Sequence, residues 1–103
     1  MALTLNGTGY EAEGPYTSTS NLKEQSGVYI ITGTNNPADP HTVIDVGEAG
    51  NVKDRISNHD RSDCWNRQSF KNLHASVIYC TERERMAIES QLRNFFKPAC
   101  GIR

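Results

Sequence analysis

Arg55 and His59 stand four residues apart in the stretch that follows the glycine turn Gly47-Glu48-Ala49-Gly50. On a helix that spacing stacks two side chains on one face. Val52 and Ile56, also four apart, form the adjacent stripe and are expected to face a core. A cation and an imidazole would then sit at the margin of a buried surface. Between Asn51 and Lys71, five basic residues (Lys53, Arg55, Arg61, Arg67, Lys71) outnumber three acidic ones (Asp54, Asp60, Asp63), a local excess of +2 beside His59. Such a surface suits a phosphate backbone, with Lys53, Arg55 and Arg61 as the candidate contacts. The plainer alternative is an ordinary solvated helix face. Near the C-terminus, Ile88, Leu92, Phe95 and Phe96 form an apolar stripe, and at about 100° per residue Arg85 and Glu89 fall on the same side. A carboxylate turned towards a core is costly unless it is paired or used. Its plain explanation is an ion pair with Arg85, one turn back.

The elements that would position these residues can be taken in chain order. Residues 1–26 are rich in Gly, Ser, Thr and Asn and read as an N-terminal extension, mostly irregular, with a short edge strand where Leu3 and Leu5 alternate with polar residues. Val28, Tyr29, Ile30 and Ile31 have high strand propensity and predict a buried strand over 27–32. Two prolines and an Asn pair make 33–40 a loop. A second strand over 41–46 then pairs antiparallel with the first. Asn51 is a suitable N-cap for a helix running to about His59 or Arg61. A short helix is expected around Trp65. A third strand over 74–80 should place Ala75, Val77 and Tyr79 on one face and Ser76, Ile78 and Cys80 on the other. Thr81-Glu82-Arg83-Glu84 is a capping box, and Pro98 and Gly101 end the helix that it opens.

At 103 residues the chain favours a single domain with one modest core. Its formal charge of −1 argues against a strongly basic nucleic-acid binder judged on bulk charge. No apolar run is long enough to cross a bilayer, and the opening residues lack a signal-type pattern. The expectation is a cytoplasmic protein without a membrane partner. Cys64, Cys80 and Cys100 agree with it, being odd in number, widely spaced and without a CxxC pair. A zinc site from Cys64, Cys80 and the histidines is the weaker alternative, because structural zinc ligands usually come in close pairs.

This layout resembles the GIY-YIG nuclease superfamily. Gly27-Val28-Tyr29 matches the first signature, and Asp45-Val46-Gly47 occupies the place of the second. Arg55 falls at the helix arginine, His59 at the following His/Tyr position and Glu89 at the metal-binding glutamate, with Pro98 at the usual distance behind. The resemblance runs from about Gly27 to Gly101, and its force lies in the ordered set rather than in any triplet. It implies an α+β domain over 27–103, a small three-stranded antiparallel sheet flanked by helices, with the site on one face of that sheet.

The resemblance also implies a chemistry. Phosphodiester hydrolysis needs an activated water, stabilised charge on the phosphate and help for the leaving oxygen. Tyr29 would be the base, its pKa drawn down from about 10 by nearby cations or hydrogen bonds. Arg55 would grip the phosphate with its two-pronged donor, and His59 would assist proton transfer or hold the phosphate. Glu89 would hold one divalent ion, Mg²⁺ or Mn²⁺, an ion type that keeps most of its waters. DNA is the implied substrate, with specificity supplied by a protein partner, a homodimer or residues 1–26.

Three positions depart from the pattern. Asp45 replaces the second-motif tyrosine, Glu48 follows the motif glycine where relatives often carry a basic or small polar residue, and Gly101 stands where an Asn closes the family pattern. The first two add negative charge near Tyr29. Two readings therefore stand side by side. One is a metal-dependent DNA endonuclease with Asp45 rebuilt as a metal ligand or base. The other is a non-catalytic module of the same fold that binds nucleic acid or a protein partner.

Overall fold

The computed structural model describes residues 2–36, 38–59 and 61–101. Its centre is β3 (Gly27–Thr34), a strand whose eight residues are all buried. The run Val28–Ile31 reads as continuously apolar because helices cover both faces of the sheet at this strand. β3 pairs antiparallel with β4 (Thr42–Ala49) on one side and β5 (Asn72–Tyr79) on the other.

The sheet has five strands rather than the expected three. β1 (Ala2–Leu5) and β2 (Tyr10–Tyr16) extend it beyond β5, giving the order β1-β2-β5-β3-β4, all antiparallel. Residues 1–26 were expected to be mostly irregular on their Gly, Ser, Thr and Asn content, and Gly14 and Pro15 inside β2 are indeed poor strand formers. The backbone edge offered by β5 overrides that preference, and Leu5 and Ala12 are buried as a result.

Two cores flank the sheet. Tyr29, Ile31, Ala75 and Val77 face Val52 of α1 (Val52–Ser57) and Trp65 of α2 (Ser62–Arg67). Val28, Ile30 and Val46 face Leu92 of α3 (Glu82–Phe96), with Ile88 and Phe96 packed beside them. The capping box holds as expected, the Thr81 hydroxyl accepting from the Glu84 amide and Glu84 reaching back to the Thr81 amide. Phe95 was placed on the apolar stripe but is 53% exposed. Among the described residues no helix is long and apolar enough to cross a membrane.

Two local features bear on the site. The β3–β4 register shifts between Ile31 and Thr32, so Ile31 opposes Asp45 while Thr32 opposes Val43. The extra residue, Ile44, breaks the strict alternation that would have put Val43 on the face of Asp45 and Gly47. Beyond α3, residues 97–101 run along β4, where the Cys100 amide donates to the Ile44 carbonyl. A Cys64–Cys100 disulfide fixes this tail to α2. Nothing in the cysteine spacing pointed to this bond; only the fold brings these two, 36 residues apart, to a Cα separation of 5.9 Å. With Cys64 and Cys100 bonded, the zinc alternative falls.

Candidate active site

The β4–α1 connection sets the site. Asn51 caps α1 by accepting from the Asp54 amide at 3.1 Å, and the Val52 amide is held by the Gln25 carbonyl. The helix ends at Ser57, earlier than expected, so His59 lies beyond it and not a turn above Arg55. Even so, the two side chains converge. His59 makes a short hydrogen bond through Nε2 to the Tyr29 hydroxyl, and the Arg55 guanidinium stands close enough to the same phenol to lower its pKa.

The geometry assigns the proton on His59. The Arg61 main-chain N–H can only donate, and it donates to His59 Nδ1 at 3.0 Å. Nδ1 is therefore bare and the ring proton sits on Nε2, donated to the Tyr29 oxygen. Arg61 Nη2 approaches that oxygen at 3.4 Å. Donors thus reach the phenol oxygen from His59 and Arg61, with the Arg55 cation beside them. N–H donors and cations around this oxygen favour the phenolate. Burial opposes this. Desolvation is the largest influence and raises the Tyr29 pKa above its ordinary value of 10; Arg61 lowers it, Asp45 raises it, and Arg55 lowers it.

Asp45 shares the sheet face of Tyr29, opposite Ile31, but its part differs from the expected one. Its side chain is fully buried and both oxygens are doubly engaged. Oδ1 accepts from Arg93 Nη2 at 2.8 Å and Arg61 Nη2 at 3.2 Å. Oδ2 accepts from Arg61 Nε at 2.9 Å and Trp65 Nε1 at 2.6 Å. Four donors fill the four lone-pair positions of a carboxylate. The expectation of Asp45 as metal ligand or base is therefore corrected: it anchors two arginines. The negative charge that Asp45 and Glu48 add near Tyr29 is offset in the same way, since each carboxylate has a guanidinium against it. Glu48 likewise pairs with Arg85 at 2.7 Å.

Glu89 is 3% exposed and lies on the wall of a groove with Arg93, Asn94, Lys97 and Pro98. Its ion pair is with Arg93, one turn ahead at 3.3 Å, and not with Arg85. Glu before Arg at this spacing is the favoured orientation on a helix, so the pair was visible in the sequence. Among the described residues no three His, Cys, Asp or Glu side chains gather as a cation site. A single carboxylate on a groove wall is nonetheless a donor set that Mg²⁺ or Mn²⁺ accepts, because such ions complete their shell with water and substrate oxygens.

Tyr29, Arg55, His59, Arg61 and Asp45 thus form one cluster, and Arg93 joins Glu89 to it through Asp45. Lys53 sits half-buried on α1, its main-chain carbonyl accepting from the Ser57 hydroxyl, and its ammonium makes no ion pair among the described residues. Arg61, expected on a nucleic-acid surface, is instead drawn into the cluster. Arg93 and Trp65 were missed as site residues. Trp65 is the chain's only tryptophan, but nothing in the sequence tied its indole N–H to Asp45, twenty positions earlier.

No family model matches the sequence, and comparison with curated proteins gives no match. Solved structures do match. The chain is similar to the GIY-YIG N-terminal endonuclease domain of UvrC from Thermotoga maritima, in a point mutant bound to the catalytic divalent cation. Identity is 20%, TM-score 0.56, covering 82% of this chain and 91% of that one. A second point mutant of that domain, bound to its catalytic divalent cation, matches at 21% identity and TM-score 0.56 with the same coverage. The chain has the GIY-YIG fold.

Proposed function

We propose that this chain is a divalent-cation-dependent endonuclease that hydrolyses DNA phosphodiester bonds. The observation that carries the reading is the set of N–H donors and cations around the Tyr29 oxygen, His59 and Arg61 with Arg55 beside them, in the sheet-face cluster that Arg93 links to Glu89. The matched endonuclease domain with its divalent cation adds support.

Tyr29 takes a proton from the attacking water, and the surrounding N–H donors hold the phenolate that the transfer needs. His59, with its proton on Nε2, stabilises that oxygen by donating to it. Arg55 and Arg61 offer charge-assisted donors to a phosphate seated above Tyr29. Glu89 would hold one divalent ion, Mg²⁺ or Mn²⁺, which when bound supplies Lewis-acid stabilisation of phosphate and leaving-group charge. Asp45 takes no part in bond making; it fixes where Arg61 points.

Burial of Tyr29 at 1% exposure and of Glu89 at 3% favours a second reading, a non-catalytic module that binds nucleic acid or a protein partner. Supercoiled plasmid with Mg²⁺ or Mn²⁺ separates the two. The nuclease reading expects nicking by the wild type that falls by at least about a hundredfold in Tyr29→Phe, given the usual size of a general-base contribution. Equal nicking by both proteins, or none by either, removes it.

A further inference from the structure

Arg93 divides one guanidinium among four acceptors. Nη2 donates to Asp45 Oδ1 at 2.8 Å and Nε to Glu89 Oε2 at 3.3 Å. Nη1 donates to the carbonyls of Gly101 at 2.8 Å and Cys100 at 3.4 Å. The side chain is 12% exposed, so these contacts are poorly screened by water. Strand, helix and tail each hold one side of the fork. Gly101 has a positive φ of 73°, and a Cβ there would lie 2.4 Å from Arg93 Nη2 and 2.9 Å from Arg61 Nε. The tail can close over both guanidinium groups because this position carries no side chain.

The guanidinium therefore stands, as a fixed charge, against the carboxylate read above as the metal ligand. A divalent ion at that carboxylate would lie a few ångströms from a positive charge that the fold does not let swing away. We propose that Arg93 is the resident counter-ion of Glu89 and a positioning residue that sets how tightly Glu89 takes a divalent cation. The inference rests on the reading of Glu89 as a metal ligand. Arg93 makes the buried carboxylate tolerable in the metal-free protein, and cation binding is weakened by the same charge.

Mn²⁺ titrations of the full chain, followed by loss of the free-ion paramagnetic resonance signal, test this without reference to cleavage. Arg93→Gln is expected to bind Mn²⁺ at least about tenfold tighter than wild type, because a like charge beside the ion is removed. Arg93→Lys keeps the charge and should stay within about threefold of wild type. Glu89→Gln should weaken binding by about tenfold or more in either background. If Arg93→Gln does not fold for want of a partner for Asp45, the Asp45→Asn/Arg93→Gln double variant is compared with Asp45→Asn alone, and the same tightening is expected between those two. Glu89-dependent binding that is unchanged or weaker on removal of Arg93 overturns the counter-ion role and leaves the metal-ligand reading standing. Mn²⁺ binding indifferent to Glu89 in every background overturns both.

Discussion

Gly47→Ala should dislodge Tyr29 from outside the cluster of charged groups. A Cβ on Gly47 would lie 2.1 Å from the Tyr29 hydroxyl oxygen and 2.2 Å from Cζ, with ring and strand packed in a core where Tyr29 is 1% exposed. Ordinary contacts are near 3.5 Å, so the ring must retreat by more than about 1 Å. Overpacking of this kind costs about 1–3 kcal/mol. Pulling the hydroxyl from His59 and Arg61 leaves buried polar groups unpaired, a further 1–3 kcal/mol or so. Together that is about 3 kcal/mol, or on the order of 15 °C in Tm for a domain of this size. Plasmid nicking should drop by about a hundredfold or more, since misplacing a catalytic group by 1 Å has that effect. Gly50→Ala is the control: its Cβ would meet nothing within 4 Å, in the same connection between β4 and α1. Adding Tyr29→Leu to Gly47→Ala should recover most of the lost Tm but none of the nicking. A Gly47→Ala protein that melts and nicks like wild type would refute the packing argument, and with it the view that Gly47 exists to seat Tyr29.

Two further outcomes follow from buried groups. Asp45→Asn should lower stability by about 3 kcal/mol, because Arg61 and Arg93 lose a shared buried carboxylate and the amide turns N–H groups towards donors; urea melts measure it, and Asp45→Tyr should be at least as damaging and create no nicking. His74 has a pKa lowered from 6.5, by burial first and then by His41, whose ring centroid is 4.7 Å away, and its buried Nδ1 has no hydrogen-bond partner. A group whose folded pKa is depressed is stabilising above its unfolded pKa, so this contribution is intact above about pH 6.5 and lost as the pH falls from there towards the folded value. Tm measured between pH 7.5 and 5 should fall less steeply in His74→Gln than in wild type; parallel curves would remove the assignment.

The parts of this molecule that were legible in the sequence are those written in neighbouring residues. Val28–Ile31 announces a strand buried on both sides, Thr81 and Glu84 announce the start of α3, and Asn51 announces α1. The alternation in 74–80 sorts Ala75 and Val77 from Ile78 correctly. Tyr29, Arg55 and His59 were recognisable as an ordered set and do converge. Long-range facts were not written there. β2 depends on the free edge of β5 more than on its own composition. The shift at Ile44 has no local signature, yet it decides which way Val43 points. Asp45 looked like an intrusive charge because its three partners, Arg61, Trp65 and Arg93, come from two other helices and the approach to one of them. Glu89 showed both Arg85 and Arg93 at the same helical spacing, and only the position of Glu48 across the sheet edge decides that Arg85 is taken elsewhere.

The Cys64–Cys100 bond turns part of the chain into a covalent ring. That ring contains all of β5 and α3 and leaves β3, β4 and α1 outside it. Closing a loop of this length removes unfolded-state freedom equivalent to about 4 kcal/mol on the chain-entropy view, comparable to much of a small domain's net stability. The residues outside the ring supply Tyr29, Asp45 and Arg55, and the residues inside supply Glu89 and Arg93. The half outside the ring is therefore held by strand pairing, packing and the Asp45–Arg93 ion pair, while the half inside is closed by a covalent hoop as well. In a thiol-rich environment the hoop opens and the tail keeps its hydrogen bonds to Ile44 and Arg93 and the burial of Cys100. In an oxidising one, the half that carries the carboxylate stays cross-linked even when β1 and β2 fray.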